Sequence, residues 1–190
     1  MYGLILSNFA MHIRLDAAEE ERILSVLQYH EVKKNTLLLD EGKVCRNIYF
    51  VNKGCLRLFN KDKDGNDHNI LFCPENWWAA DIASFSGQIP ALYALGTLED
   101  TEALSLSYPA LEQLYTEIPK LERFFRILIQ NGFHLYQHRI AANLSLPAEE
   151  RYRAFQRQYP SLEQRIAQKY IASYLGITPV FLSMIRKRSM

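Results

Sequence analysis

The sequence predicts an α+β fold in which an N-terminal antiparallel β-roll, a jelly roll, precedes a long helix and two short C-terminal helices. Residues 31–107 carry short runs rich in Val, Ile, Leu, Tyr and Phe, separated by turn signals, which is typical of antiparallel strands. Between residues 119 and 144 apolar side chains recur at steps of three and four, which indicates a helix. Residues 168–188 carry a glycine-centred pattern typical of two crossing helices.

Turn residues divide the N-terminal part into predicted strands. Asp64 and Gly65 predict a tight hairpin, and no long helical pattern interrupts this region. An antiparallel roll or barrel is therefore expected. Asp16, with Glu19 three residues later, predicts a capped helix before the roll. The predicted strands cover residues 32–39, 47–51, 54–59, 67–72, 92–98 and 103–107.

The C-terminal pattern predicts a helix-turn-helix. Ala172 leaves room for a close helix crossing, and Gly176 tolerates a positive φ at the turn. Thr178 supplies an N-cap hydroxyl for the second helix, and Pro179 suits its first position, where no backbone donor is needed. The inward side would be filled by Ile171, Leu175, Ile177, Leu182 and Ile185.

Charge is divided unevenly along the chain. Five of the 22 Lys and Arg residues lie in residues 165–190, where there is no Asp or Glu, which leaves 17 cations and 21 acids in residues 1–164. This asymmetry predicts that the C-terminal end meets a polyanion such as DNA. The alternative is a helical hairpin with a solvated basic tip.

Composition restricts the other classes of protein. A chain of 190 residues with 48% hydrophobic content is long enough for one or two packed domains. No apolar run approaches the ~18 residues of a membrane span, and residues 1–11 lack the basic leader of a signal peptide. Cys45, Cys55 and Cys73 fit no metal or cluster spacing, so reduced thiols and a cytoplasmic location are expected.

The order of these elements resembles the Crp/Fnr family of bacterial transcription regulators. The motifs LLLDEGKVCRNIYFVNKGCLRLF and QKYIASYLGITPVFLSMIRKR carry the resemblance, which covers essentially the whole chain. It implies a cyclic-nucleotide-binding-like roll over residues 1–118 with its flanking helices, a dimerisation helix over 119–145 and a helix-turn-helix domain over 146–190. The implied partners are double-stranded DNA and a second copy, with RNA polymerase and a small-molecule effector as further candidates.

The long helix is the expected dimer contact. Its stripe either packs on the roll of the same chain or pairs with its copy, and a helix of this length can do both. The residues predicted to contact a second copy are Leu121, Phe124, Phe125, Leu128 and Leu135.

The resemblance also permits a test of nucleotide binding. In nucleotide-binding members, a cassette between two strands holds ribose with a Gly-Glu pair and the cyclic phosphate with an Arg followed by Ser or Thr. Here Ala80 and Asp81 stand at the first pair, and Ala91 and Leu92 at the second. No Lys or Arg lies between Lys63 and Lys120, so we expect no tight binding of cAMP or cGMP.

Aromatic residues dominate the cassette instead. They either pack the roll or line a pocket for an apolar or aromatic effector of unknown identity, and the sequence does not choose between these. The candidate pocket residues are Trp77, Trp78, Asp81, Phe85, Ala91, Leu92 and Tyr93.

The predicted recognition helix lacks the side chains that read guanine. Pro179, Val180 and Met184 stand at the positions that family members use for base reading, and none can make a bidentate contact. We therefore expect an A·T-biased or shape-dependent site. The predicted DNA-contacting residues are Ser183 and Lys187 for bases, Val180 and Met184 for thymine methyls, and Gln168, Lys169, Thr178, Arg186 and Arg188 for phosphates.

Other kinds of site are weakly supported. His134 and His138 have a metal-binding spacing on the long helix, but no Cys or carboxylate completes a site, so no metal is predicted. No cysteine precedes Cys45, which excludes the N-terminal iron–sulfur cluster of redox-sensing members, and nothing supports haem. No catalytic motif appears, so an enzyme is not expected. The alternative function is a regulatory module that binds a small molecule or protein and does not read DNA.

Overall fold

The computed structural model describes residues 1–189, which form nine helices and eight strands. The strands are β1 (Gln28–Val32), β2 (Leu37–Leu39), β3 (Asn47–Lys53), β4 (Leu56–Lys61), β5 (Asp67–Cys73), β6 (Trp78–Ala79), β7 (Ala94–Thr97) and β8 (Thr101–Ser107). The helices are α1 (Gly3–Ala10), α2 (Ala17–Val26), α3 (Ile82–Gly87), α4 (Tyr108–Glu117), α5 (Lys120–Ser145), α6 (Ala148–Gln158), α7 (Leu162–Arg165), α8 (Gln168–Leu175) and α9 (Pro179–Ser189). Within this part of the chain, no helix has the length and apolar character needed to span a bilayer.

Two four-stranded sheets form the predicted antiparallel roll. One sheet has the order β1-β8-β3-β6 and the other the order β2-β7-β4-β5. In the first sheet β8 pairs with β1 from Gln28 opposite Ser105 and with β3 from Asn47 opposite Ser107. The α+β prediction with an antiparallel roll and a long helix is confirmed.

One predicted strand is wrong. Residues 32–39 do not form a single strand, because β1 ends at Val32 and β2 begins at Leu37 in the other sheet. Between them Asn35 adopts a φ of 63°, and its backbone N–H donates to Thr97 O at 3.1 Å. A left-handed residue turns the chain sharply, so the strand leaves one sheet and enters the other.

The capped helix before the roll is confirmed. Asp16 accepts from Glu19 N at 2.9 Å, and Glu19 Oε2 accepts from Asp16 N at 2.8 Å. Helices α1 and α3 and the two-residue strand β6 were not predicted from the sequence.

The chain divides into two compact units. One contains residues 1–58 and 72–131, and the other contains residues 59–71 together with the part that starts at Gly132. The second unit therefore includes the end of β4, the start of β5 and the C-terminal helices. We call these the N-terminal and C-terminal units.

An aromatic cluster anchors the start of α5 in the N-terminal unit. The ring of Phe124 lies 4.6 Å from that of Phe9 and 5.2 Å from that of Phe125. Trp78 lies 5.2 Å from Phe50 and donates its Nε1–H to Asn8 Oδ1 at 2.9 Å. Tilted and edge-on ring pairs at these distances add to the apolar burial that holds α1, α5 and the sheet together.

The same burial removes three residues from the predicted dimer contact. Leu121, Phe124 and Phe125 are 1%, 1% and 6% exposed, so their side chains are already enclosed by their own chain. They leave no surface for a second copy. The other two residues predicted for that contact, Leu128 and Leu135, are half-buried, and at ~100° per residue they lie on the side of α5 opposite the exposed Phe133.

Replacing Phe124 by Ala should lower the free energy of unfolding of the N-terminal unit by about 3–5 kcal/mol, because a fully buried ring leaves a cavity. Urea denaturation measures the change. The matched control is Arg123→Ala at the preceding, exposed position, where a change within about 0.5 kcal/mol is expected. Equal effects of the two variants would contradict the assignment of Phe124 to the core.

Candidate nucleic-acid interface

The C-terminal unit presents two short helices joined by a tight turn. Gly176 ends α8 with a φ of 66°, and Ile177 N donates to Ala172 O at 3.0 Å while Gly176 N donates to Ser173 O at 3.2 Å. This pair of bonds is the Schellman arrangement, which satisfies the last carbonyls of a helix and requires a left-handed residue. The prediction of a positive φ at Gly176 is confirmed.

The turn ends at the predicted cap of α9. Thr178 Oγ1 accepts from Phe181 N at 3.1 Å, and Pro179 is the first residue of the helix. Leu182 and Ile185 are 0% and 1% exposed and pack inward, as predicted. The cap therefore fixes where α9 starts, and Leu182 and Ile185 mark its buried face.

The outer face of α9 combines apolar and cationic side chains. Val180 and Met184 are 72% and 46% exposed, Lys187 is exposed, and Ser183 is half-buried between them. At steps of three and four these residues occupy one side of the helix. Gln168 and Lys169 at the start of α8 are exposed too, as is Thr178.

Arg186 faces the interior of the unit. Its Nε lies 2.9 Å from Glu163 Oε1, which also accepts from Tyr152 Oη, and Gln156 Nε2 donates to Glu163 Oε2 at 3.0 Å. The sequence-based assignment of Arg186 to a phosphate contact is thus replaced by an internal ion pair. Arg188 stays exposed, with Nη1 3.9 Å from Glu149 Oε1.

The Glu163 carboxyl responds to this network. Partial burial disfavours its charged form, but the hydrogen bonds from Tyr152 and Gln156 and the charge of Arg186 outweigh that effect and lower its pKa. Burial and the hydrogen bond to Glu163 raise the pKa of Tyr152 to about 12. The pair therefore stays as carboxylate and neutral phenol around neutral pH.

Arg139 on α5 connects three segments of the C-terminal unit. Its Nη2 donates to Asn69 O and Tyr174 O, both at 2.8 Å, and its Nη1 donates to Ile70 O. The guanidinium also lies over the Tyr174 ring, 3.9 Å from its centroid. Sequence reasoning missed this residue, because its partners are backbone carbonyls far away in the chain.

Ser173 makes a second link between β5 and α8. Its hydroxyl donates to Asp67 O at 2.6 Å and accepts from Asn69 N at 3.0 Å, while Asn69 Nδ2 donates to Tyr170 O at 3.3 Å. Together with Arg139, this residue ties α8 to β5 through backbone atoms.

The buried carboxylate of Asp81 accepts the backbone hydrogen bonds of the cassette. Asp81 is 3% exposed; its Oδ1 accepts from Ser84 N at 3.0 Å, and its Oδ2 accepts from Leu92 N at 2.9 Å and Tyr93 N at 3.1 Å. It caps α3 and holds the loop that leads into β7. Backbone donors of this kind are the usual partners of a bound anion, and here an internal carboxylate already takes them.

The other predicted pocket residues differ in burial and in their neighbours. Trp78 belongs to the aromatic cluster, and Phe85 is 5% exposed with its ring 5.6 Å from that of Tyr108. Ala91 is buried, Leu92 is 66% exposed, and Trp77 and Tyr93 are half-buried.

The three cysteines are buried thiols. All three are buried without a disulfide, and burial raises the pKa of Cys73 to about 12 and that of Cys45 in the same direction. A buried thiol of raised pKa is not a nucleophile near neutral pH. Among residues 1–189 no three His, Cys, Asp or Glu side chains are placed to hold a metal ion.

Substitution of Gly176 tests the turn. A Cβ there would meet no atom within 4 Å, so a Cβ adds conformational strain and no steric clash. Gly176→Val should destabilise the C-terminal unit by about 1–2 kcal/mol or more, since a branched side chain disfavours positive φ. Gly176→Asn should cost less, because Asn tolerates this region. Thermal unfolding ranks the variants, and an Asn variant as unstable as the Val variant would contradict the assignment.

Comparisons with known proteins agree with this architecture. The family model for the cyclic nucleotide-binding domain matches residues 29–117. No curated protein matches the chain by sequence. Among solved structures, FixK2 from Bradyrhizobium japonicum is similar with a TM-score of 0.77 and 15% identity, covering 86% of this chain and 84% of that one.

Two further structures extend the likeness. The c-di-GMP responsive global regulator CLP from Xanthomonas campestris has a TM-score of 0.69 and 17% identity, covering 91% of each chain. A protein from Eubacterium rectale assigned to the Crp/Fnr family of transcriptional regulators has a TM-score of 0.71 and 16% identity, covering 92% of this chain and 83% of that one. Residues 29–117 thus form a cyclic nucleotide-binding domain by fold, and the chain shares its fold with Crp/Fnr transcriptional regulators.

Proposed function

We propose that this protein is a dimeric, DNA-binding transcriptional regulator of the Crp/Fnr type, that it acts in the bacterial cytoplasm without catalysing a reaction, and that it does not respond to cAMP or cGMP. The observation that carries the proposal is the outer face of α8 and α9. Exposed Lys169 and Lys187 lie there on a helix pair that contains no acidic residue.

The pair α8 and α9 is the proposed helix-turn-helix, with α9 in the major groove. Lys187 and Ser183 are the polar candidates for base edges, and Val180 and Met184 would contact thymine methyls. Lys169, Gln168 and Thr178 would bind phosphates, with Arg188 adding attraction from the end of α9. Arg186 instead stabilises α9 through Glu163. This set favours an A·T-biased site read partly through DNA shape.

A second copy would pack on the exposed side of α5. Phe133, Ile140 and Leu144 are 59%, 59% and 84% exposed. At ~100° per residue they fall within an arc of about 40°, so they form one apolar stripe. A symmetric dimer along α5 would present two α9 helices to half-sites about 34 Å apart.

The cassette argues against a cyclic nucleotide. The phosphate would have to displace Asp81 from Leu92 N and Tyr93 N, and no Lys or Arg lies between residues 64 and 119 to compensate its charge. Repulsion between the phosphate and the carboxylate adds to this cost.

A second candidate function is supported by one observation. Pro179, Val180 and Met184 cannot make the bidentate contact that reads guanine. A protein that kept the fold and acted through a small molecule or another protein would share this feature. Chromatin immunoprecipitation with sequencing separates the two functions: sharp peaks at promoters support the regulator, whereas an even distribution supports the alternative.

The basic face can be tested by charge reversal. The double variant Lys169→Glu/Lys187→Glu should bind duplex DNA far more weakly, and the slope of log K against log salt should shrink by about 0.9 for each phosphate that the protein no longer neutralises. Fluorescence anisotropy over a salt series measures both. The matched controls reverse the charge of exposed lysines in the N-terminal unit. They are the single variant Lys43→Glu and the double variant Lys33→Glu/Lys43→Glu. Unchanged DNA binding in the first double variant would contradict the proposal.

The proposed dimer interface along α5 can be tested by introducing one negative charge into the apolar stripe. Ile140→Asp should convert a dimer to a monomer, because a carboxylate buried between two helices loses its hydration. Light scattering after size-exclusion chromatography gives the mass in solution. Asn131→Asp, exposed on the opposite side of α5, adds the same charge and should leave the dimer intact. A dimer that persists in Ile140→Asp would overturn this interface.

Nucleotide binding can be tested by calorimetry. Titration with cAMP or cGMP should give no heat of binding at micromolar ligand concentration, because residues 64–119 contain no Lys or Arg and the Asp81 carboxylate already accepts from Leu92 N and Tyr93 N. Micromolar affinity for either nucleotide would contradict this part of the proposal.

A further inference from the structure

A cavity of about 140 Å³ lies within the C-terminal unit. It is bounded by the second half of α5 and by α6 and α8. Its lining residues are Leu135, His138, Arg139, Ala142, Asn143, Arg151, Ala154, Phe155, Gln158, Tyr174 and Leu175.

The floor of the cavity is apolar and aromatic. Phe155, Tyr174 and Leu175 are 2%, 7% and 2% exposed, and the rings of Phe155 and Tyr174 are 5.7 Å apart. Ala142 and Ala154 supply only methyl groups, which leaves the space open. An engineered apolar cavity of about 150 Å³ holds one benzene molecule, so this cavity is the right size for a single ring.

The cavity also has cationic side chains in its lining. Two Arg line it, and no Asp or Glu does. His138, Asn143 and Gln158 are exposed at its rim. The guanidinium of Arg139 donates to the backbone carbonyls of Asn69 and Tyr174. An anion at this position would therefore be attracted without being repelled by any lining carboxylate.

Arg151 has a buried hydrogen-bond donor without a partner in the described part of the chain. Its Nη1 donates to Asn143 O at 3.2 Å, but its buried Nε–H has no acceptor among residues 1–189. A buried donor that lacks a partner is costly, and an incoming carboxylate could satisfy it. Arg presents Nε and Nη side by side in the geometry that suits a bidentate carboxylate.

We propose that this cavity binds a small aromatic carboxylate, with the ring against Phe155 and Tyr174 and the carboxylate on Arg151. Such a ligand would contact α5, α6 and α8 together. The site is distinct from the cassette of the N-terminal unit, and the proposal does not depend on DNA binding.

Benzoate is the probe, and benzamide is its uncharged control of the same shape. Amide chemical shifts of ¹⁵N-labelled full-length protein, followed at increasing benzoate, should move in saturable fashion at the lining residues, with a Kd of about 1 mM or tighter. Benzamide should bind at least about tenfold more weakly, because it cannot form the charged bidentate pair. Absence of saturable shifts at the cavity with benzoate, or equal affinity for both compounds, would overturn the proposal.

A matched pair of variants on α6 provides the second arm. Arg151→Gln should weaken benzoate binding at least about tenfold, because it removes the charged donor. Arg153→Gln, exposed and outside the lining, should leave it unchanged. Equal benzoate affinity in the two variants would overturn the assignment of Arg151. If Arg151→Gln does not fold, the comparison of benzoate with benzamide on the unsubstituted protein still decides the question.

Discussion

The C-terminal unit depends on the guanidinium of Arg139. It donates to the carbonyls of Asn69, Ile70 and Tyr174, so one side chain of α5 holds both β5 and α8. Removal of this group would leave three buried or half-buried carbonyls without their charged donor, which is costly. The position of α8 sets that of α9, because the two helices share a capped turn and a packed inner side. The orientation of the proposed DNA-contacting face therefore originates in a contact far from it in sequence.

Charge is used in opposite ways at the two ends of the chain. In the N-terminal unit the Asp81 carboxylate takes the backbone donors of the cassette, so the domain keeps the cyclic nucleotide-binding fold with an anion of its own in place. In the C-terminal unit one cation, Arg186, is neutralised internally by Glu163, while Lys169 and Lys187 stay exposed. The N-terminal unit thus has an internal anion in its cassette, whereas the C-terminal unit leaves two cations exposed.

Local patterns predicted the elements whose signals lie close together in sequence. The period of α5, the cap at Thr178 and the positive φ of Gly176 each depend on residues within one or two turns, and the structure confirms them. Helix α1 was missed because no side chain caps its N-terminus. Strand β6 was missed because two residues are too few to show an alternating pattern. The break at Asn35 depends on a hydrogen bond to Thr97, and the half-buried position of Arg186 depends on its ion pair with Glu163. Such long-range partners are not visible in a local pattern.

The candidate sites also differ in whether they depend on local or on long-range features. The sequence identified the basic terminal helices, because charge and composition are properties of a segment. It did not identify the cavity at Arg151, whose walls come from three helices and exist only after folding. It also assigned Phe124 to a dimer contact, although a helical stripe alone cannot distinguish packing on the same chain from packing on a copy.

The central claim, that paired α9 helices read duplex DNA, is tested most directly by selection of bound sequences from a pool of random duplexes with the purified full-length protein. We expect enrichment of a two-fold symmetric, A·T-rich site with half-sites about one helical turn apart. A pool that stays random after repeated rounds, or a G-rich consensus, would contradict it.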